Sequence, residues 1–506
     1  MPLEVEFLSR IRRHVSRRKF LKGGVAALCG LRSLAVVGRS WGAASLGIPQ
    51  RPLRGKIKPR PGKEIAASPL GIGFETLDRQ MFLPERTYAH IAGLGVKWAR
   101  VQTGWCRCER EKGRYDFAWL DGIIDSLRGI GVQPWFNLGY GNQLYTPEAS
   151  NAFAVGWAPL WNKEAREGWV RFVRALAEHF GSRVRHWEIW NEPNISGFWK
   201  PEKPSPAGYM DMVKLTGPEI RARAPGVVLV GGALAGMPTD YLRGCLELGL
   251  AEHVDRISYH PYAVLPELNY ARNVSAWREM LAGYKPSLGL WQGECGCPST
   301  AVSTGALSQH AWNESRQARW LLRRMLNDLR LGLEHTSWYN TVDQVGYALG
   351  FGAVDPKKAA RVDAHFGLLR GTDYSPKPSY LAYQTLCALF DSETKAAELP
   401  VAFSGDFAAS DPPVSANRIE QAGFVRGRRP LYAYWWPADV HQDFAVRPVS
   451  AALSAGQDLA LDNPVLVDPL SGEILKLEGR RSAGRWSFEA LPLCDYPMLI
   501  TDAAVV

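Results

Sequence analysis

Between Leu70 and Phe390 the chain alternates eight times between a short apolar, β-rich run and a longer segment whose apolar residues recur at helical spacing. Few folds accept that order. The strand-like runs are 70–74, 96–102, 132–138, 184–192, 227–231, 254–259, 287–294 and 334–339. The helical stripe shows in Phe117, Leu120, Ile123, Ile124 and Leu127, and again in Trp169, Phe172, Val173, Leu176 and Phe180. A last stripe from Ser379 to Phe390 supplies the helix after the eighth run. Strand then helix, repeated, means parallel strands covered on their outer faces, and eight units over about 320 residues suit a (β/α)8 TIM barrel. A doubly wound open sheet is the alternative. It would carry a glycine-rich phosphate turn after an early strand, and Gly71-Ile-Gly73-Phe-Glu lacks the third glycine.

After Phe390 the texture changes. Ser404 to Asn417 is rich in Ser, Ala, Asp and Pro, and short strands follow, such as Leu431–Tyr434, Pro464–Val467 and Pro497–Ile500. This reads as a small antiparallel β-sandwich, in which Trp435-Trp436 is a core pair before it is a sugar platform. The expected domains are therefore a leader over 1–45, a basic Pro-rich linker over 46–65, the barrel over 66–395 and the sandwich over 396–506.

The leader has the parts of an export signal: Ser16-Arg17-Arg18-Lys19-Phe20-Leu21-Lys22, a weakly apolar run from Gly23 to Val37, then Gly42-Ala43-Ala44-Ser45. The twin arginine resembles a Tat signal, so the Tat export machinery is an expected partner and the periplasm or the exterior the expected location. Cys29 lacks the small residues that precede a lipid-modified cysteine. No later stretch is apolar over about 18 residues, so no stable membrane span is expected. The net charge of +10 would suggest nucleic acid, but residues 1–45 hold nine Lys/Arg against two Asp/Glu and residues 46–65 hold six against one. What remains is slightly acidic, and nucleic acid is not an expected partner. The linker, with prolines at 52, 59 and 61, reads as a disordered tether.

Cys29 falls in the leader, and Cys106-Arg-Cys108 and Cys295-Gly-Cys297 are the pairs worth naming among the rest. Disulfides are permitted in an exported protein, and a four-thiolate metal site needs both pairs to meet. The pairing is left open, and the thiols are assigned to stability. No cluster has ordinary metal spacing and no phosphate loop is present, so no cofactor and no metal are expected.

Chemistry enters at His186-Trp187-Glu188-Ile189-Trp190-Asn191-Glu192-Pro193-Asn194. On a strand Glu188, Trp190 and Glu192 share a face, only Glu192 stands at the exit, and Pro193 ends the ladder. This stretch, followed by Phe198-Trp199, resembles the fourth barrel strand of the clan A retaining glycoside hydrolases, most closely family 39, with family 5 second. The resemblance implies Glu192 as general acid/base and a second carboxylate at the end of strand seven, where Leu288-Gly-Leu-Trp-Gln-Gly-Glu294-Cys-Gly supplies Glu294 as nucleophile. Its flanks, Gly293 and Cys295, depart from the family pattern.

The same resemblance implies substrate-site roles for Arg100 on strand two, Asn191 toward the sugar 2-hydroxyl, His260 and Tyr262 after strand six, and Trp338 as an apolar floor after strand eight. Arg100 and Tyr262 would keep Glu294 ionised, while Glu192, among apolar groups, must hold its proton near neutral pH. Glu188 is expected as a structural ion-pair partner, and Glu75 is left without a role. The expected function is an exported glycosidase that cleaves O-glycosidic bonds of a poly- or oligosaccharide by double displacement. The alternative is a non-catalytic carbohydrate-binding protein on the same barrel.

Overall fold

A computed structural model describes residues 49–149, 153–348, 361–405, 419–454 and 459–506. By contacts the chain divides into Met1–Ser45 and Leu46–Val506, and the expected signal, with Arg17, Arg18 and Cys29, lies outside the described residues. The first described strand is β1 (Leu53–Lys56). The closed parallel barrel follows as β2 (Leu70–Gly73), β3 (Trp98–Gln102), β4 (Gln133–Leu138), β5 (His186–Ile189), β6 (Val228–Ala235), β7 (Arg256–His260), β8 (Gly289–Cys295) and β9 (His335–Trp338). β9 returns to β2 with Leu70 opposite Thr336 and Ile72 opposite Trp338. All eight expected runs became strands, in that order, and an open sheet is ruled out.

One main helix follows each barrel strand: α1 (Tyr88–Leu94), α2 (Ala118–Gly129), α3 (Lys163–Phe180), α4 (Pro206–Arg223), α5 (Thr239–Glu247), α6 (Tyr270–Tyr284), α7 (Glu314–Arg330) and α8 (Pro378–Leu389). Their starts are written in the sequence. Asn162, Ser205 and Asn313 accept from the backbone N–H three residues on, capping α3, α4 and α7. On α3 the stripe Trp169, Phe172, Val173, Leu176 and Phe180 is fully buried, each side chain contributing roughly 1.5–3 kcal/mol.

Inside the barrel, strand alternation makes two layers. The lower is aromatic: Trp98, Trp135, His186, Trp291 and His335 pack together, edge to face for Trp135–His335 with ring centroids 5.2 Å apart and tilted for Trp291–His335 at 4.7 Å. Burial pushes His335 down to about 3 and His186 to about 4, so both rings are neutral. Two residues further along the strands the layer changes character, to Arg100, Asn137 and Glu188.

The β-rich end forms two antiparallel sheets, one of seven strands and one of four. Trp435 and Trp436 are buried in it. The expected tether is corrected here. β1 pairs with Glu473–Lys476 and forms the edge of the seven-stranded sheet, and Lys97 Nζ donates to the Gly62 carbonyl at 2.8 Å. Composition misled because the prolines at 52 and 59 flank the strand instead of interrupting it, and an edge strand tolerates such neighbours.

Helix α7 joins barrel to sheets. Arg316 donates to the Val440 carbonyl, Arg319 pairs with Asp495, and Arg330 pairs with Glu420. Arg323, wholly buried, binds Glu267, whose other bond comes from Trp435 Nε1 at 2.8 Å. All seven described cysteines are free thiols, six of them buried, so their contribution is packing. No helix among the described residues is long and apolar enough to cross a membrane.

Candidate active site

The strand bearing the acid stops earlier than the pattern implied. β5 ends at Ile189, and Trp190 and Glu192 take left-handed backbone, φ 69° and 46°, a conformation that costs a side-chain-bearing residue energy and persists only when its surroundings hold it. They do. Asn137 Nδ2 donates to the Trp190 carbonyl at 2.6 Å, the Glu192 N–H donates to Ala233 O at 2.8 Å, and the Asn194 amide exchanges two hydrogen bonds with the Ala235 backbone. The shared face expected for Glu188, Trp190 and Glu192 therefore does not exist. Glu188 meets Arg100 inside the barrel, while Trp190 packs on Trp169 of α3 and on Trp199. Pairing had ended before alternation could place Glu192.

Glu192 still faces the cavity, and His260, at the end of β7, meets its Oε1 through Nδ1 at 2.9 Å. Glu294, near the end of β8, accepts from Arg100 Nη1 at 2.6 Å and from the Tyr262 hydroxyl at 2.8 Å. Both of its oxygens are thus occupied by donors. Burial alone would raise the Glu294 carboxyl, but the charges of His260 and Arg100 and the hydrogen bonds from Tyr262 and Arg100 outweigh it and hold the group below its ordinary value. Burial, and then the Glu294 charge, push the Tyr262 hydroxyl well above its usual range, so it remains a donor.

Arg100 is the hub of the site. Its Nε and Nη2 both reach Glu188 Oε2, at 2.9 and 2.6 Å, and Nη2 also reaches Asn191 Oδ1 at 2.8 Å. Glu188 takes further bonds from Asn137 and Ser258, the structural pairing expected of it. Burial would lower the Arg100 pKa, but the charges of Glu188, Glu294 and Glu75 raise it well above normal.

A cavity of about 280 Å³ opens over these groups, lined by Glu192, Glu294, Asn191 and Tyr262 together with Arg79 and Tyr140. Larger cavities lie elsewhere, one of about 420 Å³ beside it and one of about 800 Å³ against the β sheets. Neither of them holds a pair of carboxylates at barrel strand ends.

Three of the expected substrate contacts sit differently. Arg100 and His260 are fully buried behind the acids and do not line the cavity, so what they touch is Glu294 and Glu192. Trp338 is also fully buried, its Nε1 bonded to the Phe366 carbonyl and its ring against Trp320. As the last residue of β9 its side chain turns to the helix layer, and Tyr339 and Phe366 line the cavity instead. Sequence reasoning also missed Tyr140, stacked on Phe198 with centroids 5.6 Å apart, and Arg79. Tyr140 follows β4 at the same mouth and was findable by position. Arg79, deep in the loop after β2, carried no such signal.

One oxygen of each carboxylate and one His260 nitrogen lie within 4.8 Å of one another. That arrangement would also admit a cation, although Glu294 already receives two donors and His260 Nδ1 is engaged with Glu192. No other such cluster occurs among the described residues, the cysteine pairs included.

The sequence model described as Glycosyl hydrolases family 39 matches residues 96–285. The β-xylosidase of Geobacillus stearothermophilus is 27% identical over 159 residues, 29% of this chain and 31% of that protein. The β-glucosidase A of Thermotoga maritima is 33% identical over 107 residues, 20% of this chain and 22% of that protein. The chain thus spans a third or less of the length of these relatives. Over its whole fold it resembles a family 39 glycoside hydrolase from Bacteroides cellulosilyticus, with TM-score 0.62 and 20% identity, covering 90% of this chain and 83% of that one. A β-xylosidase from Caulobacter crescentus gives TM-score 0.55 at 18% identity, covering 89% and 98%.

Proposed function

From a barrel that resembles clan A and, within it, glycoside hydrolase family 39, we propose that this chain is a retaining glycosidase that hydrolyses O-glycosidic bonds of a poly- or oligosaccharide by double displacement. The observation that supports retention most directly is the 4.8 Å limit on the separation of the nearest Glu192 and Glu294 oxygens. Retaining enzymes hold their carboxyl groups about 5–5.5 Å apart, whereas inverting ones leave roughly 6.5–9.5 Å for a water.

In this reading Glu294 attacks the anomeric carbon as Glu192 gives its proton to the departing oxygen, leaving a glycosyl ester on Glu294 and a carboxylate on Glu192. Water then attacks the same carbon, Glu192 takes its proton, and Glu294 leaves as the carboxylate. Arg100 and Tyr262 stabilise Glu294 whenever it is charged. His260 orients Glu192, and Asn191, held by Arg100, faces the 2-hydroxyl. The activities of the relatives, a β-xylosidase and a β-glucosidase, favour β-linked substrates. We further propose export through the Tat machinery to the periplasm or exterior, on the strength of Arg17 and Arg18. Replacing both by Lys should stop processed protein from leaving the cytoplasm, and unchanged fractionation would remove that proposal.

The mechanism is tested on a panel of aryl β-glycosides. Wild type should release a sugar of unchanged anomeric configuration by NMR. Glu294→Gly with azide should give the inverted glycosyl azide, and Glu192→Ala with azide the retained one. Inversion by the wild type, or no hydrolysis of any glycoside, overturns the reading.

A further inference from the structure

Behind the nucleophile lies an acid that the mechanism above does not use. Glu75, just after β2, is 1% exposed and reaches Arg100 Nη1 with Oε1 at 3.2 Å, the same nitrogen that donates to Glu294 Oε2 at 2.6 Å. Its second oxygen is buried with no hydrogen-bond partner. The carboxyl folds back over Gly73, where an added Cβ would stand 2.1 Å from Oε2, so the glycine makes the position possible. One cation thus faces three acids, Glu188, Glu294 and Glu75, and three buried anions around one cation would be costly. From other side chains Glu188 collects four donor bonds and Glu294 two, while Glu75 has a single long one beside its own backbone N–H. Donors favour the charged form, and of the three acids Glu75 has the weakest set.

We propose that Glu75 is a positioning residue for the nucleophile: it stays neutral while Glu294 is an anion and ionises when Glu294 becomes an ester, so that Arg100 meets the same total charge throughout turnover. This rests on the double-displacement reading. One proton passes from Glu75 to solvent as the glycosyl ester forms, and one returns from solvent when water releases Glu294. Burial, with the Glu294 charge adding and Arg100 opposing, pushes Glu75 up to about 8, which agrees with a neutral resting acid. The charged groups that act on it are Arg100 from β3 and Glu294 from β8, with Glu188 of β5 across the guanidinium and His260 of β7 acting on Glu294.

The test is a titration of the full chain labelled with [δ-13C]glutamate, with Glu294→Gln as a neutral stand-in for the ester. The Glu75 signal, assigned by its loss in Glu75→Gln, should titrate near 8 in wild type and at least one unit lower in Glu294→Gln. A Glu75 already ionised at about pH 6 in wild type, or a midpoint unmoved by Glu294→Gln, overturns the proposal. If Glu75→Gln does not fold, Glu75→Asp serves for the assignment. Melting gives a second readout. A folded Glu75 that keeps its proton above the unfolded value makes wild type lose stability as pH rises from about 5 to 8, so the melting temperature of Glu75→Gln relative to wild type should climb over that window, and a flat difference contradicts the idea. On a dinitrophenyl glycoside, Glu75→Gln should keep its burst and lose at least tenfold in steady turnover, whereas equal loss of both would mark a merely structural residue. A shifted titration in a protein that hydrolyses nothing would leave the coupling standing and remove the glycosidase reading instead.

Discussion

The two layers inside the barrel are one strand repeat apart and obey opposite rules. The lower, of Trp98, Trp135, His186, Trp291 and His335, is held by ring packing, and both His335 nitrogens lie buried in it without hydrogen-bond partners. The upper, around Arg100, Glu188 and Glu294, is held by charge, and each charge is stable only while the others stand in place. The lower layer is insensitive to chemistry and sensitive to volume; the upper is the reverse. The barrel thus isolates its chemistry by stacking it on a floor that has none.

Four substitutions probe that contrast. Arg100→Met should have the largest effect, because it strands buried carboxylates: a stability loss of roughly 3–5 kcal/mol and turnover lower by more than about 100-fold, read by melting and by aryl glycoside kinetics. Glu188→Gln keeps the shape and removes one charge, so it should cost about 1.5–3 kcal/mol with a smaller drop in turnover. In the floor, Trp135→Phe should cost roughly 1–3 kcal/mol while turnover per folded molecule stays at the wild-type value; a selective loss of turnover would mean that the layers are coupled. The smallest effect at neutral pH belongs to His335→Leu. Because the folded His335 lies near 3 and the unfolded one near 6.5, its contribution is present above the unfolded value and is lost as pH falls toward 3. The variant should therefore melt close to wild type at pH 7 and above it in acid.

The alternation of strand and stripe was legible because each barrel strand is buried on both faces and each helix on one, a burden that only apolar periodicity can meet. The motif at 186–194 disclosed Glu192, and the position of Glu294 followed from counting strands. What sequence could not disclose was set by tertiary contacts. The left-handed turn at Trp190 and Glu192 depends on Asn137, Ala233 and Ala235 from neighbouring strands. Trp338 fell on the expected strand end yet faces Trp320, since which side the last residue presents is decided by where pairing stops. Glu75 gave no signal because its importance lies in a guanidinium that is twenty-five positions away in sequence.

The strand at Leu53–Lys56 carries one more consequence, for the order in which the molecule can be finished. Its partner is β10 (Glu473–Lys476), and the neighbouring Arg51 donates to the Glu489 carbonyl, 438 positions along the chain. The strand at 53–56 must wait for the one at 473–476, so the seven-stranded sheet cannot acquire this edge until residue 476 has been made and has left the ribosome. Until then β1 has no partner, and a carrier that handled this chain before residue 476 was made would be handling an incomplete sheet.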